Sequence, residues 1–293
     1  MKETSNLTTN KQGSQIIQNQ LAPDKEKEIR DIIDIEIEDF IEKFEDKHKK
    51  EVKNPKGVIN MKKNNFLIAE ASPEFLFYNG LSRSFDSRLG HALQNIGNRI
   101  AGLTYEVRSN INGYILPDQY QCINSLLHNY QTNNAKPEIS HYNTFTCIKP
   151  KNIESHKRSL VTDNYFYDKK NRKHYLIELK ASGRIDIKKS KSEKMSLLEQ
   201  YFLLKNSLEG TNETVEIFFG TGYNRFGEGN EWKQDTVLRF FAQDELLIGK
   251  DYWNFCCGSQ QGFEIVFDQY KKNAPKITKS LQKIKETYFE SGN

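Results

Sequence analysis

The sequence predicts an α/β (α+β) fold, on three observations. Residues 159–180 read as a strand, a polar turn and a second strand, and a basic segment then leads into a helix. Val215 to Gly220 (VEIFFG) is a short unbroken apolar run of the kind that forms a buried strand. Long segments before and after these strands place apolar residues three and four apart, the helical repeat.

Taken in order, residues 1–22 are rich in Asn, Gln, Thr and Ser and are expected to form a disordered or loosely attached arm. From residue 23 to residue 293 a single domain is expected, with a helical part over 23–135 and the remainder over 136–293. Ile29, Ile32, Ile33, Ile37, Phe40, Ile41 and Phe44 make the stripe of a helix of about 25 residues. The basic segment KHKKEVKNPKGV follows as a loop. A mixed apolar stretch broken by Pro73 precedes a helix that Asp86 or Ser87 can cap, with Leu89, Ala92, Leu93, Ile96 and Ile100 inward. Gly90 and Gly97 lie on nearly one side of it and would permit close approach of another element. Leu103 to Arg108 reads as a short strand and Pro117 to Gln131 as a helix. A polar connection, with an apolar run at Phe145 to Ile148 and Lys149 and Lys151 beyond it, delivers the chain to the hairpin. Met195, Leu198 and Phe202 mark the next helix, Leu238 to Gly258 a strand, a turn and an aromatic-rich helix start, and Thr278 to Phe289 a closing helix.

Composition narrows the class. The chain has 293 residues, 28% charged and 36% hydrophobic, with a formal net charge of +4. No run approaches the ~20 apolar residues that span a bilayer, and residues 1–20 lack a signal-peptide core, so a cytoplasmic protein of a bacterial or archaeal cell is expected. Cys122, Cys147, Cys256 and Cys257 have no metal-ligand spacing and are expected as reduced thiols packed mostly in the interior. The net charge is too small to demand a polyanion, but its distribution is uneven: Lys188, Lys189, Lys191 and Lys194 crowd one segment just after the hairpin.

The chemistry-bearing pattern is on the second hairpin strand. Glu178 and Lys180 stand two apart on an otherwise apolar run, so both leave on one face while Tyr175, Ile177 and Leu179 leave on the other. Asp163 lies one hairpin arm upstream. Two carboxylates about 4 Å apart repel by ~4 kcal/mol at an effective dielectric of about 20. The pattern therefore suits a hard divalent cation with oxygen ligands, most simply Mg²⁺. Glu-x-Lys triplets also occur at Glu45/Lys47, Glu51/Lys53 and Glu231/Lys233, but only Glu178 follows an apolar strand and has an acid one arm upstream.

Asp163…Glu178-Leu179-Lys180 resembles the PD-(D/E)xK nuclease motif, with Thr162 where the proline stands. The likeness extends through Ser84-Phe85…Gly90, the KSKSEK stretch from Lys189, Gly222-Tyr223-Asn224-Arg225-Phe226, and Glu245 to Gly249 with Trp253-Asn254-Phe255. In that order, over residues 80–260, the chain resembles type II restriction endonucleases, most of all the group named after TdeIII. The resemblance implies a PD-(D/E)xK core, a central mixed β-sheet flanked by helices. It also implies a homodimer cutting double-stranded DNA at a short palindrome, GGNCC-like in that group, beside a cognate DNA methyltransferase that need not be a bound subunit. Asp163 and Glu178 would hold one or two Mg²⁺ ions, with the backbone carbonyl of Leu179 as a further oxygen. Lys180 would orient or deprotonate the attacking water, or neutralise the phosphate. Where related enzymes carry a supporting glutamate on a helix, this chain has Gln94 or Asn95, and Glu70 is the substitute carboxylate. Glu199 and Gln200 are the candidates from the following helix, and Asp168 in the hairpin turn competes with Asp163. Arg184, Lys188, Lys189 and Lys191 are the expected phosphate contacts nearest the cut, and Asn224, Arg225 and Lys233 the expected base readers. Two rivals remain: a repair or recombination nuclease of the same fold directed to ends or structures, and an inactive DNA-binding module.

Overall fold

The computed structural model describes residues 21–70, 72–145, 157–181 and 184–290. The expected N-terminal arm lies almost wholly outside them, as do Cys147, Lys149, Lys151 and most of the apolar run that starts at Phe145. Among the described residues a five-stranded sheet has the order β1-β2-β3-β4-β5, formed by β1 (Glu106–Tyr114), β2 (Lys157–Asp168), β3 (Lys173–Lys180), β4 (Thr214–Thr221) and β5 (Leu246–Ile248). β1, β2 and β3 pair antiparallel, while β3, β4 and β5 pair parallel. The sheet is therefore mixed, and α6 (Ile187–Ser207) forms the crossover between its two central parallel strands.

Helices cover both faces. On one side α1 (Pro23–Glu51), α3 (Pro73–Ala101), α8 (Lys250–Cys257) and α9 (Gly262–Glu290) share a core with Phe166, Tyr175, Ile177 and Leu179 of the hairpin. On the other, α4 (Pro117–Gln131) and α6 pack Ile123, Leu127, Leu197, Leu198 and Phe202 against Leu176, Ile217 and Phe219. The short α5 (Ser140–Asn143) and α7 (Asp235–Leu238) lie on this second side. The alternation read from β3 holds, since successive residues enter opposite cores. Fully burying one such side chain contributes ~1.5–3 kcal/mol, so both faces of β3 resist a register slip, which would exchange the two sets.

Several boundaries differ from expectation. The helix expected to open at Asp86 or Ser87 instead opens at Pro73, where the Ser72 hydroxyl accepts the Phe75 amide at 3.2 Å. Leu76, Phe77 and Leu81 then bury its first turns. The closing helix starts at Gly262 rather than Thr278 and runs through Pro275. An interior proline costs a helix ~3 kcal/mol; here Ile265, Val266, Ile277 and Ile284 continue one buried stripe on both sides of it, which offsets that loss. Arg239 to Phe241 form turn and bend instead of strand, and the strand is only Leu246–Ile248. β1 begins later and extends further than Leu103 to Arg108, because Leu103 and Thr104 close the end of α3 through bonds to the Ile100 and Ala101 carbonyls. The basic segment after Lys47 is helical to Glu51 before it turns.

The β1–β2 pairing contains one irregularity. Arg108 faces Tyr165 and Asn110 faces Val161, so the single residue Ser109 stands against Thr162, Asp163 and Asn164. β2 bulges at the position of the expected catalytic aspartate. Bulges re-aim side chains and interrupt the ladder, so β2 needs other partners here.

Candidate active site

Those partners come from α3. The side-chain amide of Gln94 donates to the Asp163 carbonyl at 2.7 Å, and that of Asn98 donates to the same oxygen at 3.2 Å. Gln94 also lies 3.5 Å from the Asp163 carboxylate. Asn164, the next bulge residue, donates to the Asn98 side chain at 2.7 Å and accepts from the Tyr252 hydroxyl of α8 at 3.3 Å. Gly97 makes this approach possible, since a Cβ on it would collide with the Tyr252 hydroxyl. Two helices thus fix the backbone at Asp163 where the sheet ladder does not.

Across from the bulge, β3 delivers Glu178 and Lys180. The ladder pairs Asn164 with Ile177, and one further step in the same register sets Asp163 opposite Glu178. Glu178 is buried, and Lys180 Nζ donates to it at 2.5 Å. The same ammonium lies 3.0 Å from Glu193 of α6. Burial pushes the Glu178 carboxyl upward; Lys180 works against this, while Asp163 and Glu193 add to it. Burial disfavours the Lys180 ammonium, but Glu178 and Glu193 beside it outweigh that and hold its pKa above the ordinary value. Two carboxylates therefore share one ammonium, and the charge of Asp163 bears on Glu178 beside them. The Mg²⁺ expectation meets oxygen donors of the right kind at Asp163 and Glu178. Among the described residues no three His, Cys, Asp or Glu side chains converge as a ready cage. Mg²⁺ does not require one, since it ordinarily takes one or two carboxylates and completes its shell with water and substrate phosphate.

The surroundings of the parallel-strand ends complete the site. Gly222 follows β4 and its N–H reaches the Lys180 carbonyl at 3.4 Å. The Ile185 carbonyl, in the segment between β3 and α6, accepts from Gln234 at 2.7 Å and Thr236 at 2.8 Å. The Gly-rich loop after β4 is thereby tied to the exit of β3. Glu228 of that loop accepts the backbone amides of Asn224 at 2.6 Å and Lys250 at 3.0 Å. Gly249, at φ 52°, leaves room for the Glu228 carboxylate where a Cβ would strike it.

The expected site residues separate into groups. Asp163, Glu178 and Lys180 come from adjoining strands, as the hairpin reading required. Glu70 is exposed at the C-cap of the short helix α2 (Phe66–Ala69), and it is not among the charges acting most strongly on Glu178, which are Lys180, Asp163 and Glu193. Asp168 accepts the Asn171 backbone amide at 3.0 Å and so holds the hairpin turn. Arg184, Lys188 and Lys189 are exposed around the start of α6, whose first turn Asp186 caps. Lys191 is turned to Gln131 of α4 at 2.7 Å. Lys194, grouped by sequence with the phosphate-facing lysines, is a correction: it is 1% exposed and paired with buried Glu245. Asn224 is a second correction. Its side chain is spent within the loop, donating to Asn230 at 2.7 Å and accepting from Phe226 at 3.0 Å, so burial and internal bonding withdraw it from a base edge. Arg225 is exposed over the Phe226 ring and Lys233 is exposed beside Glu231.

Sequence reasoning looked to Glu199 and Gln200 for the contribution of α6. Glu199 is half-buried near Arg158, and Gln200 donates to Ser196. The residue that reaches the site is Glu193, about two helical turns earlier. The helix starts at Ile187 and not near Met195, which puts Glu193 in its second turn, one position before buried Lys194.

A family model described as "Type II restriction endonuclease, HinfI" matches residues 25–274, well over half of the chain. The family found is thus a restriction-endonuclease family, as the motif order suggests, and the match does not extend to the TdeIII-like group. No curated protein and no solved structure matches the chain.

Proposed function

The chain belongs to the HinfI family of type II restriction endonucleases, and from that premise we propose that it is a Mg²⁺-dependent endodeoxyribonuclease cutting double-stranded DNA at a short palindromic site. The observation that carries this reading is the cluster at the bulge: Glu178 and Lys180 on one strand, 2.5 Å apart, opposite Asp163 on the next. Asp163 and Glu178, with the Leu179 carbonyl, are the residues to hold one or two cations. The cation, when bound, offsets charge growing on the phosphate and acidifies water at the site.

The protein's own groups do the rest. Gln94 and Asn98 orient the backbone that presents Asp163. Lys180, an ammonium beside two carboxylates, serves as a hydrogen-bond donor and charge neutraliser to a phosphate oxygen. Arg184, Lys188 and Lys189, exposed near the start of α6, are placed in this reading along the phosphate backbone, which positions the duplex without reading sequence. Arg225 and Lys233 are the base-reading candidates, because a loop arginine can pair with guanine through two bonds. A palindrome read by identical sites requires a two-fold assembly, so a homodimer follows from the proposal. The GGNCC-like site belonged to the TdeIII likeness and is not carried over.

The test is digestion of sequenced plasmid DNA with Mg²⁺, followed by sequencing of the cut ends. Discrete fragments with one sequence at every end support the proposal, and Glu178→Gln or Asp163→Asn should abolish them while DNA binding without Mg²⁺ persists. Smears without a common end sequence, or no cutting across divalent ions, would refute it.

A further inference from the structure

We propose that Glu193 is a positioning residue for Lys180: it keeps the ammonium anchored when the Glu178 carboxylate is engaged elsewhere. The inference rests on the nuclease reading and adds to it a part that neither the motif nor the family match assigns. Its basis is geometric. Lys180 Nζ stands 2.5 Å from Glu178 and 3.0 Å from Glu193, and all three side chains are largely shielded from solvent. Glu178 and Lys180 belong to the same strand, two residues apart, so a bond between them fixes neither against the rest of the fold. Glu193 belongs to α6, which is fixed independently. Asp186 caps its first turn at 2.8 Å, and Lys194, the very next residue, is locked into the interior by Glu245.

The arrangement contains a conflict that Glu193 resolves. Glu178 cannot give its full charge to a divalent cation while it is also the only partner of a neighbouring ammonium. A lysine has a long, flexible stem and a large rotamer entropy. Released by Glu178 with no second partner, its amine would sample many positions. With Glu193 present, the ammonium pivots about a fixed point 3.0 Å away and remains near the strand end where a phosphate oxygen would lie. Glu193 therefore acts through Lys180 and touches no substrate atom.

Glu193→Ala, Glu193→Gln, Lys180→Met and the double variant Glu193→Ala/Lys180→Met separate the possibilities, with circular dichroism to confirm that each folds. Two quantities are read: kcat and KM on a plasmid that the wild type cuts, and Mg²⁺ affinity by calorimetry without DNA. Glu193→Ala should lower kcat by about 10- to 100-fold with KM little changed, the scale of a misplaced catalytic group. It should also weaken Mg²⁺ binding, because the ammonium then falls wholly on Glu178. Glu193→Gln, which keeps an acceptor but not the charge, should restore part of both. In the Lys180→Met background Glu193→Ala should change neither quantity, as a non-additive pair requires. Equal losses with and without the lysine would overturn the inference in favour of a general electrostatic or packing role. Wild-type cutting with an unaffected Glu193→Ala would overturn the inference alone. A wild type that cuts no DNA would overturn the nuclease reading together with it.

Discussion

Gln94 and Asp163 are 69 residues apart in sequence, yet the amide of one meets the backbone carbonyl of the other at 2.7 Å. The contact exists because β2 bulges at Asp163 and gives up its regular ladder partner there. A backbone carbonyl without a partner in a partly buried place costs ~1–3 kcal/mol, and Gln94 and Asn98 supply that partner together. The fold thus uses a helix to hold the strand at the point where its ladder is interrupted.

Gln94→Ala should therefore affect catalysis more than stability. Asn98 continues to satisfy the carbonyl at 3.2 Å, so urea denaturation should show a loss of about 1 kcal/mol or less. Cleavage should fall by about 10- to 100-fold, because Asp163 is no longer fixed against Glu178. Gln94→Ala/Asn98→Ala should lose more stability than the sum of the singles, since only the double variant orphans the oxygen.

Gly97 permits the same construction from behind. Gly97→Ala drives a methyl group into the Tyr252 hydroxyl, which otherwise donates to Asn164 of the bulge. The expected result is a stability loss of about 1–3 kcal/mol from overpacking, with reduced cleavage. Tyr252→Phe in the same chain removes the colliding oxygen and should return part of the stability. Thermal melts of the two single variants and the double test this, and an unchanged Gly97→Ala melt would contradict it.

How far these features could be read from sequence follows from their physics. The hairpin and the opposition of Asp163 to Glu178 were legible because period-two patterning and a polar turn are local signals. The buried strand at Val215 to Gly220 and the helix at Pro117–Gln131 were legible for the same reason. The bulge was not, since the two polar side chains that take up its freed carbonyl lie on a distant helix. Lys194 and Lys188 look alike in a lysine-rich run, but Lys194 lies within the buried stripe of a helix whose true start is Ile187. Placing the helix start near Met195 hid both the burial of Lys194 and the reach of Glu193. Asn224 looked like a base reader because turns rich in Gly and Asn are usually exposed; its amide instead closes the turn on itself.

The buried Lys194–Glu245 pair makes a strong stability prediction. Tyr142 donates to the same carboxylate at 2.7 Å, and Glu245 also accepts the Ala242 amide at 2.7 Å. Burial depresses the Lys194 pKa while Glu245 opposes that shift. Lys194→Met leaves Glu245 charged and buried without its cation, which should cost about 3–5 kcal/mol. Lys194→Met/Glu245→Leu removes both charges and should recover much of that loss. Urea unfolding of the three proteins measures it; a double variant no better than Lys194→Met would show that the pair's hydrogen bonds, not its charges, hold the region.

His48 gives the pH dependence. It is 1% exposed, meets the rings of Phe44 and Tyr288 edge-on, and its Nδ1 has no hydrogen-bond partner. Burial, reinforced by the charges of Lys47 and Arg88, lowers its pKa to about 4 from an ordinary 6.5. The folded protein therefore keeps the ring neutral over a range where the unfolded chain takes up a proton. Its contribution to stability is complete above pH ~6.5, declines as the pH falls, and is exhausted near pH ~4, a total of about 3 kcal/mol. His48→Phe retains the ring contacts and removes the proton site, while Lys47 still reaches the Ser84 hydroxyl at 3.1 Å. Urea unfolding between pH 4 and pH 7.5 should show the variant losing less stability than the wild type across that interval, with parallel curves above it. Curves parallel throughout would mean that the ring is protonated as readily in the folded protein as in the unfolded chain.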